Sequence, residues 1–277
     1  MTSVNKQQTD QVIAEGVDEE PIESNRRLFS GRLQVLIALI ATIYAAFHMI
    51  ALNGVSVSAL TGIDIPFLPT FPIETWSFRI LHIAGALGVG FLLFSAQTIG
   101  ASQKSARNKV LSIIAAVLAL PALVAASTAI GFATTIASGT LPVMGGLTTW
   151  QSFPGTDTYA AEVYWFGLPL LLATLGAIVV GWFERCPQDR IAVADIVLAA
   201  CGVVVAIYLV TIYATAARNA VGTPFVPIGV AFAATAGSAM ILELTRRVAG
   251  QALVVITGVN FFYTLTAQLL TGLMAVR

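Results

Sequence analysis

The amino-acid sequence predicts an all-α integral membrane protein with about seven transmembrane helices, its N-terminus cytoplasmic and its C-terminus periplasmic. Three observations predict it. The chain is 57% hydrophobic and only 10% charged, where soluble domains carry about a quarter charged residues. Uncharged apolar runs recur at the length a bilayer core about 30 Å thick demands, roughly 20 residues at 1.5 Å each. Lysine and arginine gather in alternate connections between those runs, the asymmetry that orients membrane helices.

Taken in order, residues 1–24 are polar and carry Asp10, Glu15, Asp18, Glu19, Glu20 and Glu23 against Lys6 alone. They predict a disordered acidic cytoplasmic tail, extending to residue 28, ahead of a helical transmembrane domain over 29–277. No apolar run with a small-residue cleavage site marks a signal peptide. The spans run Leu33–Val55, Ser77–Ile99, Val110–Ser138, Glu162–Phe183, Ile191–Ala217, Val226–Leu244 and Val248–Val276. Pro121 removes a backbone donor from the third and predicts a kink there; the sixth is the shortest. Loops 56–76 and 139–161 are rich in Pro, Gly, Thr and aromatics, and the first reads as a loop or as a short helix lying on the membrane. Trp76, Trp150 and Trp165 fall where amphipathic rings favour the interface.

The orientation rests on a count. Lys6, Arg26, Arg27, Arg32, Lys104, Arg107, Lys109, Arg185, Arg190, Arg246 and Arg247 lie on one side, against Arg79, Arg218 and Arg277 on the other, 11 to 3. This predicts a multi-pass membrane protein with its N-terminus on the cytoplasmic side. Net charge is zero, so no basic face invites nucleic acid, and lipid and other membrane helices are the expected partners. Cys186 and Cys201 read as structural cysteines, and His48 and His82 are too few for a metal centre without carboxylate help. No metal and no cofactor are expected.

Ionisable groups at membrane depth are costly and therefore suspects. Asp195 lies about five residues, roughly 7 Å, inside span five from Arg190. Arg246, Arg247 or Arg190 can neutralise it between helices, and a structural ion pair is weighed above a proton or ion relay because no deeper carboxylate is read. In "ELTRR", Glu243 precedes Arg246 and Arg247 by three and four positions. The stretch reads as the cytoplasmic turn between spans six and seven, with the arginines as topology anchors in local ion pairs; the sharper alternative is docking of another helix or subunit. Arg79 and His82 share a face of span two near its outer end, Arg79 snorkelling and His82 bonding a neighbouring helix. Asn260, Tyr263 and Gln268 give span seven its polar groups, with inter-helical hydrogen bonding preferred to a substrate path. Small residues Ala84, Gly85, Gly88, Gly90 and Gly131 suit close helix contact.

Enzyme chemistry finds no foothold: the chain has no HExxH, GxSxG or P-loop, and no catalytic residues are expected. Three segments do resemble a family. "FRILHIAGALGVGFLLFS" at 78–95, "DRIAVADIVLAACGVVVAIYLVTIY" at 189–213 and "ILELTRRVAGQALVVITGVNFFYTL" at 241–265 are similar to the N-terminal, small-subunit-like part of fused permeases of the TAXI type in tripartite ATP-independent periplasmic (TRAP) transporters. The pattern places an arginine-x-x-histidine at Arg79 and His82, an aspartate opening a span with tyrosines at Asp195, Tyr208 and Tyr213, and a glutamate-x-threonine-arginine-arginine block at Glu243, Thr245, Arg246, Arg247 and Gly250. These segments cover about a quarter of the chain. Residues 100–160 have no counterpart in the pattern, and the sequence stops at Arg277, where the family continues into the large transport domain.

The resemblance implies an accessory subunit of an ion-gradient-driven secondary transporter. Such a subunit would scaffold a separate large permease subunit that is fed by a periplasmic substrate-binding protein. The charged block and Asp195 would then hold it against its partner. The competing expectations are an orphan membrane scaffold without a transport role and a self-sufficient small carrier, which would need a deep polar pathway.

Overall fold

A computed structural model describes residues 25–53, 75–96, 108–137, 152–153, 156–157, 160–184, 186–187, 189–215, 218–219 and 226–275. Residues 1–24 of the expected acidic tail, most of both outer loops, Lys104, Arg107, Trp150, Arg185, Arg277 and the side chain of Gln268 lie outside the described residues.

Apolar segments that must satisfy every backbone donor and acceptor without water become helices. Here they are α1 (Gly31–Asn53), α2 (Thr75–Leu93), α3 (Lys109–Ala137), α4 (Leu168–Phe183), α5 (Val193–Tyr213), α6 (Ile228–Ala249) and α7 (Gln251–Ala275). Seven residues of π-helix, Ala161–Gly167, run directly into α4. A two-residue antiparallel ribbon pairs β1 (Ser152–Phe153) with β2 (Thr156–Asp157). Among the described residues, six stretches are long and apolar enough to cross a membrane: Gly31–Ala51, Thr75–Leu93, Lys109–Ile136, Ala161–Phe183, Val193–Tyr213 and Ile228–Ala249. The chain is a multi-pass helical membrane protein.

The helices form an up-and-down bundle centred on α5, which packs against α2, α3, α4 and α6. Val197, Leu198, Cys201, Val204, Val205, Tyr208 and Ile212 are buried along it. Facing it, α3 buries Ala115, Ala122, Ala125, Ala129 and Phe132, and α4 buries Leu170, Ala173, Ala177 and Val180. These small residues recur every three or four positions, so the backbones approach closely, the main source of attraction where lipid is as apolar as the helices. By contrast, α1 packs chiefly on α2 and α7 chiefly on α6.

One expectation about a helix boundary is corrected. The "ELTRR" block is not a turn, because α6 continues through it to Ala249. Glu243 bonds both Arg246 and Arg247 one turn ahead, and those bonds keep the backbone helical where charge alone suggested an exit from the membrane. The break is Gly250, at φ +86° and ψ 178°, a region open essentially to glycine alone, and α7 starts at the next residue. At Pro121, α3 remains one helix across the residue.

Candidate functional site

One end of the bundle collects the buried charges. The last four carbonyls of a helix lack partners inside it; in α2 the first is met by one more i→i−4 bond and the other three by Arg27. Phe94 N donates to Gly90 O at 2.8 Å, Arg27 Nη1 donates to Phe91 O and Leu92 O at 3.0 Å each, and Arg27 N donates to Leu93 O at 2.8 Å. Residues 25–27 thus form a strap across the end of α2, closed by Ser95 N donating to Asn25 O at 2.9 Å. Beyond the helix, Arg247 Nη1 donates to Phe94 O at 3.1 Å and Arg246 Nη2 to Ala96 O at 3.0 Å. Three arginines therefore cap the negative end of one helix dipole.

The same arginines meet two carboxylates. Asp195, in the first turn of α5, is 1% exposed; its Oδ1 accepts from Arg247 Nη1 at 2.7 Å and its Oδ2 from Arg27 Nη2. Glu243 Oε1 accepts from Arg247 Nε and Arg246 Nη2, and Oε2 accepts from Arg246 Nε, all at 2.8 Å. Trp182 Nε1 adds a bond to Glu243 Oε2 at 3.0 Å. Arg247 is buried, its guanidinium 4.9 Å from the centre of the Phe91 ring. Among the described residues the node holds three guanidinium and two carboxylate groups, a net charge of +1 set against the carbonyl end of α2. The node joins α2, α5, α6 and the strap before α1.

A third carboxylate braces the same end. Glu184, just past α4, accepts from Ser112 Oγ on α3 at 2.7 Å and from Val193 N and Ala194 N at 3.4 and 3.2 Å. It caps the N-terminus of α5 from a neighbouring helix, where the dipole favours negative charge. At the opposite end of the bundle Glu162, 2% exposed, does the same for α6: Gly229 N donates to Oε2 at 3.2 Å, and Tyr208 Oη donates to Oε1 at 2.8 Å. Phe166 stacks on Tyr208 at 4.1 Å between ring centres.

The structure brings Asp195, Glu243, Arg246 and Arg247 together, with Arg27 where Arg190 was a candidate partner of Asp195. The Arg247 side chain is enclosed, whereas that of Arg246 is 21% exposed. Arg79 and His82 stand apart from this node. Arg79 lies over the Trp76 ring at 5.3 Å, and His82 joins Tyr44 and His48 of α1 in a polar and aromatic cluster. Asn260 donates to Ile256 O one turn back on its own helix, and Tyr263 is 70% exposed. Cys186 and Cys201 are free and buried. Among the described residues no group of three or more His, Cys, Asp or Glu is placed to hold a metal ion.

Sequence reasoning missed Arg27, Trp182, Glu184 and Glu162. One signal was available. Beyond the acidic tail only eight acids remain, and Glu162, Glu184, Asp195 and Glu243 all border apolar runs, where a carboxylate has helix ends and arginines within reach. Compared with known proteins, the chain matches no family, no curated protein and no solved structure.

Proposed function

We propose that this chain is the accessory, small-subunit-like membrane component of an ion-gradient-driven TRAP-type transporter of the TAXI kind, scaffolding a large permease subunit that receives solute from a periplasmic binding protein. The observation that carries the proposal is the convergence of the three segments similar to that family. Segment 78–95 supplies the capped carbonyls of α2, segment 189–213 supplies Asp195, and segment 241–265 supplies Glu243, Arg246 and Arg247. They are the parts of the chain that hold one another, as expected of a pattern specifying a scaffold. The charges are spent on helix ends and on each other, which supports a holding role over a carrier role.

On this reading α7 is a seventh span. The strap, the node and the N-terminus face the cytoplasm, where ten arginines and lysines besides Lys6 collect, and the C-terminus is periplasmic.

Affinity purification of the tagged chain in mild detergent, with mass spectrometry of what accompanies it, tests the proposal. A larger multi-span permease in stoichiometric amount is the expected result. Recovery of the chain alone, from membranes that contain such a permease, overturns it.

A further inference from the structure

The polar cluster between α1 and α2 leaves one nitrogen whose role follows from its neighbours. His48 Nδ1 lies 2.8 Å from the carbonyl oxygen of Tyr44; a carbonyl only accepts, so this nitrogen carries the proton. In a neutral ring His48 Nε2 is then a bare acceptor. Its partner is His82 Nδ1, at 2.5 Å, which must be the donor. Tyr44 Oη donates its own proton to His82 O at 2.8 Å and receives a second, longer contact from His82 Nδ1 at 3.1 Å. With these protons assigned, His82 Nε2 holds an unshared lone pair, and among the described residues no donor meets it.

The location makes that lone pair significant. His82 is exposed, about 10 Å along α2 from its first residue and about 16 Å from its last, at 1.5 Å per residue. It lines a groove of 410 Å³ between α2 and α6, floored by Ala86 and Leu87 and bordered by Ile83, Ile241 and Val248. With Thr75–Leu93 taken as a span, that distance from either end lies inside the hydrocarbon, away from bulk water, where polar residues of membrane helices face protein rather than lipid. Acyl chains have no donor to offer, and headgroups lie at the interface.

We propose that this groove seats a membrane helix of a partner subunit, whose side-chain O–H or N–H donates to His82 Nε2. Ile83, Ile241 and Val248, each 44–56% exposed, supply the apolar border that such a helix covers. The partner's class rests on the accessory-subunit reading; the need for a donor at His82 does not.

A photoreactive benzophenone residue at Ile83 of the full-length chain, irradiated in native membranes, tests the inference, with one at Val117 on the exposed face of α3 as control. The expected adduct at residue 83 joins a membrane-spanning segment of a different protein, within one turn of a Ser, Thr, Tyr, Trp, Asn or Gln. Its yield, per amount of folded chain, falls about threefold to tenfold with His82→Phe or His82→Leu, the range for one inter-helical hydrogen bond in a membrane. His82→Gln, which keeps an acceptor near the Nε2 position, restores most of it. Lipid adducts alone, an adduct between two copies of this chain, or a partner adduct indifferent to His82 each overturn the inference. Purification of the unsubstituted chain separates the two proposals. A co-purifying permease without a His82-dependent adduct sinks only the groove, whereas a His82-dependent adduct to a protein other than a permease sinks only the transporter reading.

Discussion

Replacing Asp195 by Asn tests the node most directly, because the new side chain has almost the same shape and lacks only the charge and one acceptor. In the native node the two oxygens of Asp195 receive Arg247 Nη1 at 2.7 Å and Arg27 Nη2. The amide can still accept one guanidinium, but it turns an NH2 group toward the other, and the net charge rises from +1 to +2. Removing one member of a buried ion pair costs about 3–5 kcal/mol. For a chain of this size each kcal/mol moves the unfolding midpoint by about 2–4 °C, so Asp195→Asn is expected to lower it by roughly 6–20 °C.

The chain carries its own probe. Cys186 and Cys201, its two cysteines, are free and only 7% and 0% exposed, so a thiol-reactive dye stays dark until the bundle opens on heating. The paired change Asp195→Leu with Arg247→Met removes one charge of each sign and keeps the net at +1; apolar replacement of a whole buried pair is often neutral. The pair is therefore expected to unfold closer to the native midpoint than Asp195→Asn does. A midpoint for Asp195→Asn within about 2 °C of native, less than the shift expected from 1 kcal/mol, would refute the reasoning.

Other perturbations read separate joints. Arg27→Met leaves Phe91 O and Leu92 O without their capping donor, and trypsin in detergent is expected to cleave at exposed Arg32 faster than in the native chain; an unchanged rate means that Arg27 does not pin the strap. Tyr208→Phe deprives buried Glu162 of a donor at 2.8 Å and should cost about 1–3 kcal/mol in the dye assay. Adding Glu162→Gln should then cost less than the sum of the two single changes. Gly250→Ala places a side chain where no atom lies within 4 Å, so its effect is backbone strain alone. About 1–3 kcal/mol is expected at φ +86°, and an unchanged midpoint would mean that the α6–α7 junction has another backbone geometry.

How much of this was legible depends on how far each signal reaches along the chain. The apolar runs are local, and all six stretches fit to cross the membrane overlap runs read from the sequence. The pairing of Glu243 with Arg246 and Arg247 was also legible, since three and four residues make one helical turn. Its consequence, that α6 stays helical to Ala249, was hidden because charges were taken to mark an exit from the membrane. Arg27 was illegible for a different reason. It lies between Arg26 and an apolar run, as an ordinary loop anchor does, and its partner Asp195 is 168 residues away. No periodicity reports a contact of that separation. Glu162 and Glu184 bracket an apolar helix, where a carboxylate reads as solvent-facing, and what encloses them is the approach of α3, α5 and α6.

The placement of these charges follows one rule that bears on function. Bilayer interiors penalise a charge unless it is paired, and helix ends present the partners a buried charge needs: bare N–H groups at one terminus, bare carbonyls at the other. Glu184 and Glu162 take the N–H groups of α5 and α6, while Arg27, Arg246 and Arg247 take carbonyls at and just beyond the end of α2. Asp195 and Glu243 then bind the arginines that the carbonyls alone do not neutralise. Each of these charges thereby removes a defect that the helices themselves create. A carrier needs charges whose partners change during a cycle, and exchanging any partner in this network exposes a bare helix end together with a bare charge. The arrangement is therefore suited to keeping α2, α5 and α6 in one register.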